Sequence, residues 1–433
     1  MPRINPFRPN SPINPGMFVG RVDELDKLEA HLLQTRAGQP VNFMLTGERG
    51  IGKTSLLDYI KYVARGSLDV AGEKLNFLVV ETDLDERTSQ LALAKKIELG
   101  LRRELSKSEK ARSFLTTTWR FLERVEAGGV SLKEKRPPDS DLIVEEFAYS
   151  LAETVTRITD KSGEDLFSAR YDGLLLLIDE ADNASPDLKL GSFIKLLTER
   201  LQRHDCQRVM VGLAGLPELR QVLLTSHPSS LRVLEELPLG RLSDEEVRGV
   251  IDICIDAANK KNSDKTSVTE SAKASLVNLA EGYPHFIQQF GYSAFAADTD
   301  NTIDKDDVAE GAFGRRGALE VIGDRYYRND FYNKIQKDSY RQVLRIMARK
   351  GDSWVTKAEI KKEFHGQEST LDNAIHALRA RHIILPREGY KGVYRLQHRG
   401  FALWITLYAS KQTGNGDIKP PGVAAPHTSA VRD

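Results

Sequence analysis

Cysteine is almost missing from this chain, with Cys206 and Cys254 the only two among 433 residues. Two thiols make neither a disulfide framework nor a four-cysteine zinc site. Long apolar runs are missing as well. The longest are five residues, such as 174–178, whereas a bilayer-crossing helix needs about 20, so a membrane-spanning class is excluded. The opening Met1-Pro2-Arg3-Ile4-Asn5-Pro6 lacks the apolar stretch of a secretory leader, and the expectation is a cytoplasmic protein. Net charge is absent too, 62 basic residues balancing 62 acidic ones. That balance is uneven: residues 332–412 hold 16 Lys plus Arg against 7 Asp plus Glu, a surplus of nine that the rest of the chain offsets. The nine histidines show no metal-ligand spacing, and no Ser-His-Asp or Cys-His arrangement is legible. What remains is an ordinary globular composition, 40% hydrophobic and 29% charged, on a length suited to two or three domains.

The pattern along the chain divides it into pieces. Residues 1–20, rich in Pro, Asn and Gly, are expected to run extended over the surface. Apolar stretches at 41–46, 77–81, 174–178 and 209–213 alternate with helical patterns. Continuous apolar strands between helices mean a parallel sheet covered on both faces, which places an α/β domain over 21–240. Residues 85–170 read as an insertion in it, with helical stretches near 91–105 and 142–158. An all-α piece follows over 241–325. Ser243 with Glu246 and Thr356 with Glu359 have the form of capping boxes, and Pro284 stands just beyond a helix expected over 270–280. Residues 332–412 show three short helices and then a hairpin with a basic tip, the pattern of a winged helix-turn-helix, with Trp354 and Trp404 expected in its core. Residues 413–433 lack periodicity and are expected to be disordered.

Two motifs carry chemistry. Gly47-Glu48-Arg49-Gly50-Ile51-Gly52-Lys53-Thr54, followed by Ser55, matches G-x-x-x-x-G-K-[ST] in full, with a strand before it and a helix after. Gly47, Gly50 and Gly52 let backbone N–H groups turn inward around phosphates at a helix N-terminus. Lys53 is then expected to reach the outer phosphates and Thr54 to hold Mg²⁺. The second motif is the acid pair Asp179-Glu180 at the C-terminal end of the 174–178 strand, the edge where open α/β sheets bind ligands. Asp179 is expected at the metal and Glu180 at the attacking water.

Phe18-Val19-Gly20-Arg21-Val22-Asp23-Glu24-Leu25 resembles the segment that lines the adenine pocket in AAA+ initiator ATPases and the related STAND ATPases. Asp179-Glu180-Ala181-Asp182 resembles their Walker B, and Gly282-Tyr283-Pro284 the G-x-P of STAND proteins, whose proline abuts the base. The resemblance implies a P-loop sheet with a helical lid and a C-terminal winged helix, ATP or ADP with Mg²⁺ as cofactors, and Phe18, Val19 and Pro284 at the adenine. It also implies an arginine finger near Arg232, acting on a neighbouring subunit. Two departures stand out: His285 occupies the position where initiators carry an arginine, and the 209–213 strand ends in no Asn or Thr. Both point to slow turnover, a switch rather than a motor.

The surplus of positive charge over 332–412 makes double-stranded DNA a candidate partner, with Thr370, Asn373, Ala377 and Arg381 on the reading helix and Arg387, Lys391 and Arg395 on or beside the wing. The other reading is a STAND-like signalling or defence switch whose winged helix touches only protein, whether a partner or another copy of the chain. A small-molecule kinase shares the same loop, but no phosphoacceptor pocket is legible.

Overall fold

The computed structural model describes residues 3–11, 18–129, 140–351, 353–381, 383–387 and 389–409, so the tail expected over 413–433 lies outside the described residues. The chain divides into two compact units, 1–305 and 306–433.

The first unit is built on five parallel strands: β1 (Phe43–Thr46), β2 (Leu78–Asp83), β3 (Leu174–Asp179), β4 (Val209–Gly215) and β5 (Glu235–Pro238), in the order β2-β3-β4-β1-β5. The central strands are buried along nearly their whole length, as expected of a sheet with both faces covered. Leu174, Leu176 and Ile178 of β3 face a large core shared with α3 (Gln90–Leu105), α6 (Ser140–Thr159) and α8 (Leu190–Arg203). The opposite face is covered by α1 (Val22–Arg36) and α2 (Lys53–Ala64). At Gly212 a Cβ would collide with the Phe43 ring in the neighbouring strand, so that glycine lets a large ring sit flat over the sheet.

The described residues of 85–170 form no separate body. Besides α3 and α6 they contribute α4 (Glu109–Thr118), α5 (Phe121–Gly129) and α7 (Ser162–Phe167), and thicken one helical layer. Trp119, 2% exposed, ties the layer together by donating Nε1–H to Thr154 Oγ1 at 3.1 Å. Residues 106–112 contain the start of α4, capped by Ser108, whose Oγ accepts from the Ala111 N–H at 3.0 Å.

Beyond β5 come α10 (Asp244–Lys261), α11 (Glu270–Ala280) and α12 (Pro284–Ala297), preceded by the short α9 (Leu219–Ser226) after β4. The capping box at Ser243 is present in full. Pro284 does more than follow a helix stop: it is the first residue of α12, where a missing N–H costs nothing. Two-residue strands β6 (Ser267–Val268) and β7 (Thr302–Ile303) pair beside these helices.

The second unit starts with α13 (Lys305–Phe313, begun at the boundary) and α14 (Ala318–Ile322). It continues through α15 (Asp338–Ala348), β8 (Val355–Thr356), α16 (Lys357–Glu363), α17 (Glu368–Ala380), β9 (Ile384–Pro386), β10 (Val393–Leu396) and α18 (Arg399–Trp404). The strands form an antiparallel sheet ordered β8-β10-β9. Tyr340, Val343, Leu344 and Met347 are all buried, as are Leu371, Ile375 and Leu378. Trp404 is core at 1% exposure. Trp354 is not: it is half-buried, with the Arg395 and Arg387 guanidiniums 4.9 and 5.8 Å from its ring. Apolar neighbours in sequence suggested a core position, but the short strand β8 turns the ring toward cations.

Candidate functional site

The loop after β1 turns on glycines. Gly50 and Gly52 have φ of 77° and 102°, and a Cβ on Gly47 would lie 2.8 Å from Ile51 Cγ2 and 3.1 Å from the Leu239 carbonyl oxygen. Only glycine fits such turns at low cost. The loop delivers Lys53 to the N-terminus of α2, where its Nζ donates to the carbonyls of Gly47 at 2.7 Å and Glu48 at 3.1 Å. Burial holds the Lys53 ammonium below its ordinary pKa, against the opposing pull of Asp182 and Asp179.

The acid pair meets this loop. Thr54 Oγ1 donates to Asp179 Oδ2 at 3.3 Å, and the Glu180 N–H donates to Asp179 Oδ1 at 2.8 Å. Burial nonetheless raises the Asp179 pKa. Glu180 itself sits at φ 50°, a left-handed conformation that costs a non-glycine residue about 1 kcal/mol, with Oε2 accepting from Asn183 Nδ2 at 3.4 Å. These residues, with Gly50, Gly52, Arg49 and Ser55, line a cavity of about 410 Å³. The hydroxyl and carboxylate side by side are hard oxygen donors of the kind Mg²⁺ takes, so the residues fit that ion. Among the described residues no cluster of three or more His, Cys, Asp or Glu offers an independent metal site.

A second, apolar cleft adjoins the first across Gly52, Ser55 and Pro284, and is lined further by Phe18, Val19, Ile51, Leu56 and Leu242. Thus the three residues expected at the adenine do come together. At about 30 Å³ the cleft as it stands holds only a water or two. Glu48 turns the other way, accepting from the buried Tyr283 hydroxyl, to which Arg241 Nε also donates at 3.1 Å.

Residues 17–211 match the family model for the AAA ATPase domain. This stretch is an AAA ATPase domain. No curated protein matches the chain by sequence. Among solved structures, the Aeropyrum pernix ORC2 protein, solved as ADPNP-ADP complexes, is 12% identical with a TM-score of 0.50, over 92% of this chain and 96% of that one. That likeness is one of fold. Cdc6p of Pyrobaculum aerophilum (12% identity, TM-score 0.41, 92% and 97% covered) and the Thermotoga maritima RuvB Holliday junction branch migration motor (14%, 0.39, 88% and 93%) are more distant.

Several residues around the AAA ATPase domain's cavity have contacts that the sequence did not assign. Asp182 Oδ1 accepts from the Leu216 N–H at 2.9 Å, so a carboxylate from the β3 side stands at the end of β4, where no polar residue follows the strand. Arg21, φ 62°, donates to the carbonyls of Ile51 at 3.3 Å and of Gly240, clamping the phosphate loop to the connection ahead of α10. Arg8, Pro9, Asn10 and Ser11 line the larger cavity with His285 and Gln288. The signal that could have found Arg21 is its place in the Phe18–Leu25 motif; the 8–11 segment carries none. Arg232 is exposed on the turn Ser230–Val233, outside the cavity lining.

In the second unit, α17 exposes Asn373, with Arg381 exposed just past its end, and leaves Thr370 and Ala377 half-buried. Arg387, Tyr390 and Lys391 are exposed on the β9–β10 turn, and the Arg387 guanidinium lies 4.2 Å from the Tyr390 ring centroid.

Proposed function

We propose that this protein is an ATP-binding, slowly hydrolysing AAA+ switch. The observation that carries the reading is the Thr54–Asp179 contact: it brings the phosphate loop and the acid pair to one cavity that Lys53 also lines. Gly47, Gly50 and Gly52 shape the cradle, Lys53 holds the outer phosphates, and Thr54 with Asp179 would hold Mg²⁺, whose charge draws electron density from the phosphoryl group when bound. Glu180 orients the attacking water and accepts its proton, held near the reaction by its left-handed backbone. Phe18, Val19 and Pro284 take the adenine; the ADPNP and ADP of the A. pernix ORC2 structure support a nucleotide in this fold. His285, where an arginine would stabilise the terminal phosphate, and the Gly215-Leu216 end of β4 support slow turnover, with Arg232 of another copy as the completing cation.

The exposed Arg387, Tyr390 and Lys391 of the winged helix support association with duplex DNA. Glu180→Gln tests the core of the reading: ATP stays bound and turnover falls at least a hundredfold, a loss typical of removing a positioned general base. Unchanged turnover removes Glu180 from its role, and a steady-state rate like that of an unfoldase motor, without a partner, overturns the switch.

A further inference from the structure

The first described residues are strapped onto helices α10 and α12. Arg3 pairs with the fully buried Asp298 carboxylate at 2.5 Å, and its guanidinium lies 4.0 Å from the Phe295 ring centroid. The Ile4 N–H donates to Asn262 Oδ1 at 2.8 Å while Asn262 Nδ2 returns a hydrogen bond to the Ile4 carbonyl at 3.0 Å. Phe7 is buried at 2% exposure against Gly291, where a Cβ would collide with its ring. The Arg8 N–H then donates to Gln288 Oε1 at 2.7 Å. All these partners belong to α10, α12 or their ends.

The strap stops at the nucleotide cavity. Arg8 is exposed and lines the cavity, and its guanidinium has no hydrogen bond or ion pair among the described residues. The other side chain that the start of α12 brings there with a basic nitrogen is the imidazole of His285. Lys53 and Arg49 come from the phosphate loop. Among the described residues lining the cavity, the one guanidinium or ammonium that does not come from the phosphate loop is thus that of Arg8, at the end of a segment held on α10 and α12. A guanidinium matches phosphate oxygens in a two-pronged geometry that an ammonium cannot.

We propose that Arg8 binds the terminal phosphate of a bound nucleoside triphosphate, so that the strap distinguishes triphosphate from diphosphate and transmits the difference to α12. This rests on the nucleotide-binding reading above and assigns its missing lid-side cation to a residue about 280 positions away in sequence. Because Arg8 contacts a group that only the triphosphate has, its removal acts on one nucleotide and not the other.

The test measures direct binding of ATP and ADP, each with Mg²⁺, to the full chain. In Arg8→Ala, ATP affinity falls about tenfold or more, the value of a charge-assisted hydrogen bond, while ADP affinity stays within about twofold; Arg8→Lys recovers part of the loss. Gly291→Ala, which displaces Phe7 without touching Arg8, produces the same selective loss in a protein whose far-ultraviolet circular dichroism is unchanged. Equal ATP affinity in wild type and Arg8→Ala overturns the assignment, as does an equal loss for both nucleotides. A wild-type chain that binds neither nucleotide overturns the nucleotide-binding reading itself, and this one with it.

Discussion

Lys53 and Asp179 are driven in opposite directions by the same burial, and both shifts have measurable consequences. Burial lowers the Lys53 pKa from its ordinary 10.5, so the free protein loses that ammonium earlier on the alkaline side than an exposed lysine would. A bound phosphate favours the charged form and pushes the value back up. Nucleotide binding therefore takes up a proton once the pH enters the lowered range, and the affinity for Mg-ATP falls as pH rises through that range. Calorimetry in buffers of different ionisation enthalpy reads the uptake directly; an affinity unchanged across that range would show that burial does not govern Lys53. For Asp179 the folded pKa is raised, so its contribution to stability is present below the unfolded value and lost as pH rises through the folded one. At neutral pH its carboxylate costs the free protein stability. Asp179→Asn is thus expected to melt no lower than wild type at about pH 7 without nucleotide, and to lose Mg²⁺-dependent hydrolysis. A melting point several degrees lower would mean that the hydrogen bonds from Thr54 and Glu180 outweigh the desolvation.

At the level of elements, caps were the most legible features because they are local. Ser243 and Thr356 each accept from the N–H three residues on, at 3.2 Å, and Glu246 and Glu359 each reach back to the cap N–H at 2.7 Å. Four residues suffice to specify that arrangement. Ser243→Ala is expected to cost about 1 kcal/mol, and amide exchange should quicken about fivefold in the first turn of α10 while α16 stays as it was. Acceleration spread evenly over both units would show that the cap is not a local support. Strand β5 was missed for the opposite reason. Glu235-Glu236-Leu237-Pro238 pairs only with β1, and its carboxylates are taken by His31 and Lys27 from α1 and by Arg220 from α9. An edge strand can carry charge and proline, and the partners that permit it lie far off in sequence. The strap over α12 was illegible on the same grounds: each contact joins residues about 260 to 295 positions apart. The glycine loop and the acid pair were readable since β1 and β3 end at the same sheet edge, which the alternation of strands and helices already implies.

For the whole molecule, zero net charge conceals a division of labour. The surplus of nine positive charges over 332–412 falls wholly in the second unit, whose β9–β10 turn exposes Arg387 and Lys391. If that unit holds duplex DNA, each lysine or arginine at a phosphate releases a counterion, and the logarithm of the affinity falls linearly with the logarithm of salt concentration. The Arg387→Ala, Lys391→Ala double variant of the full chain should then reduce that slope by about 2 across unrelated sequences. Asn373→Ala should leave the slope alone and change sequence preference if it reads a base edge. Neither variant touches the nucleotide cavity, so ATP affinity serves as the internal control for folding. Wild-type protein that binds ATP but no duplex at low salt would instead assign the basic face to a protein partner, and acidic protein surfaces would be the class to search.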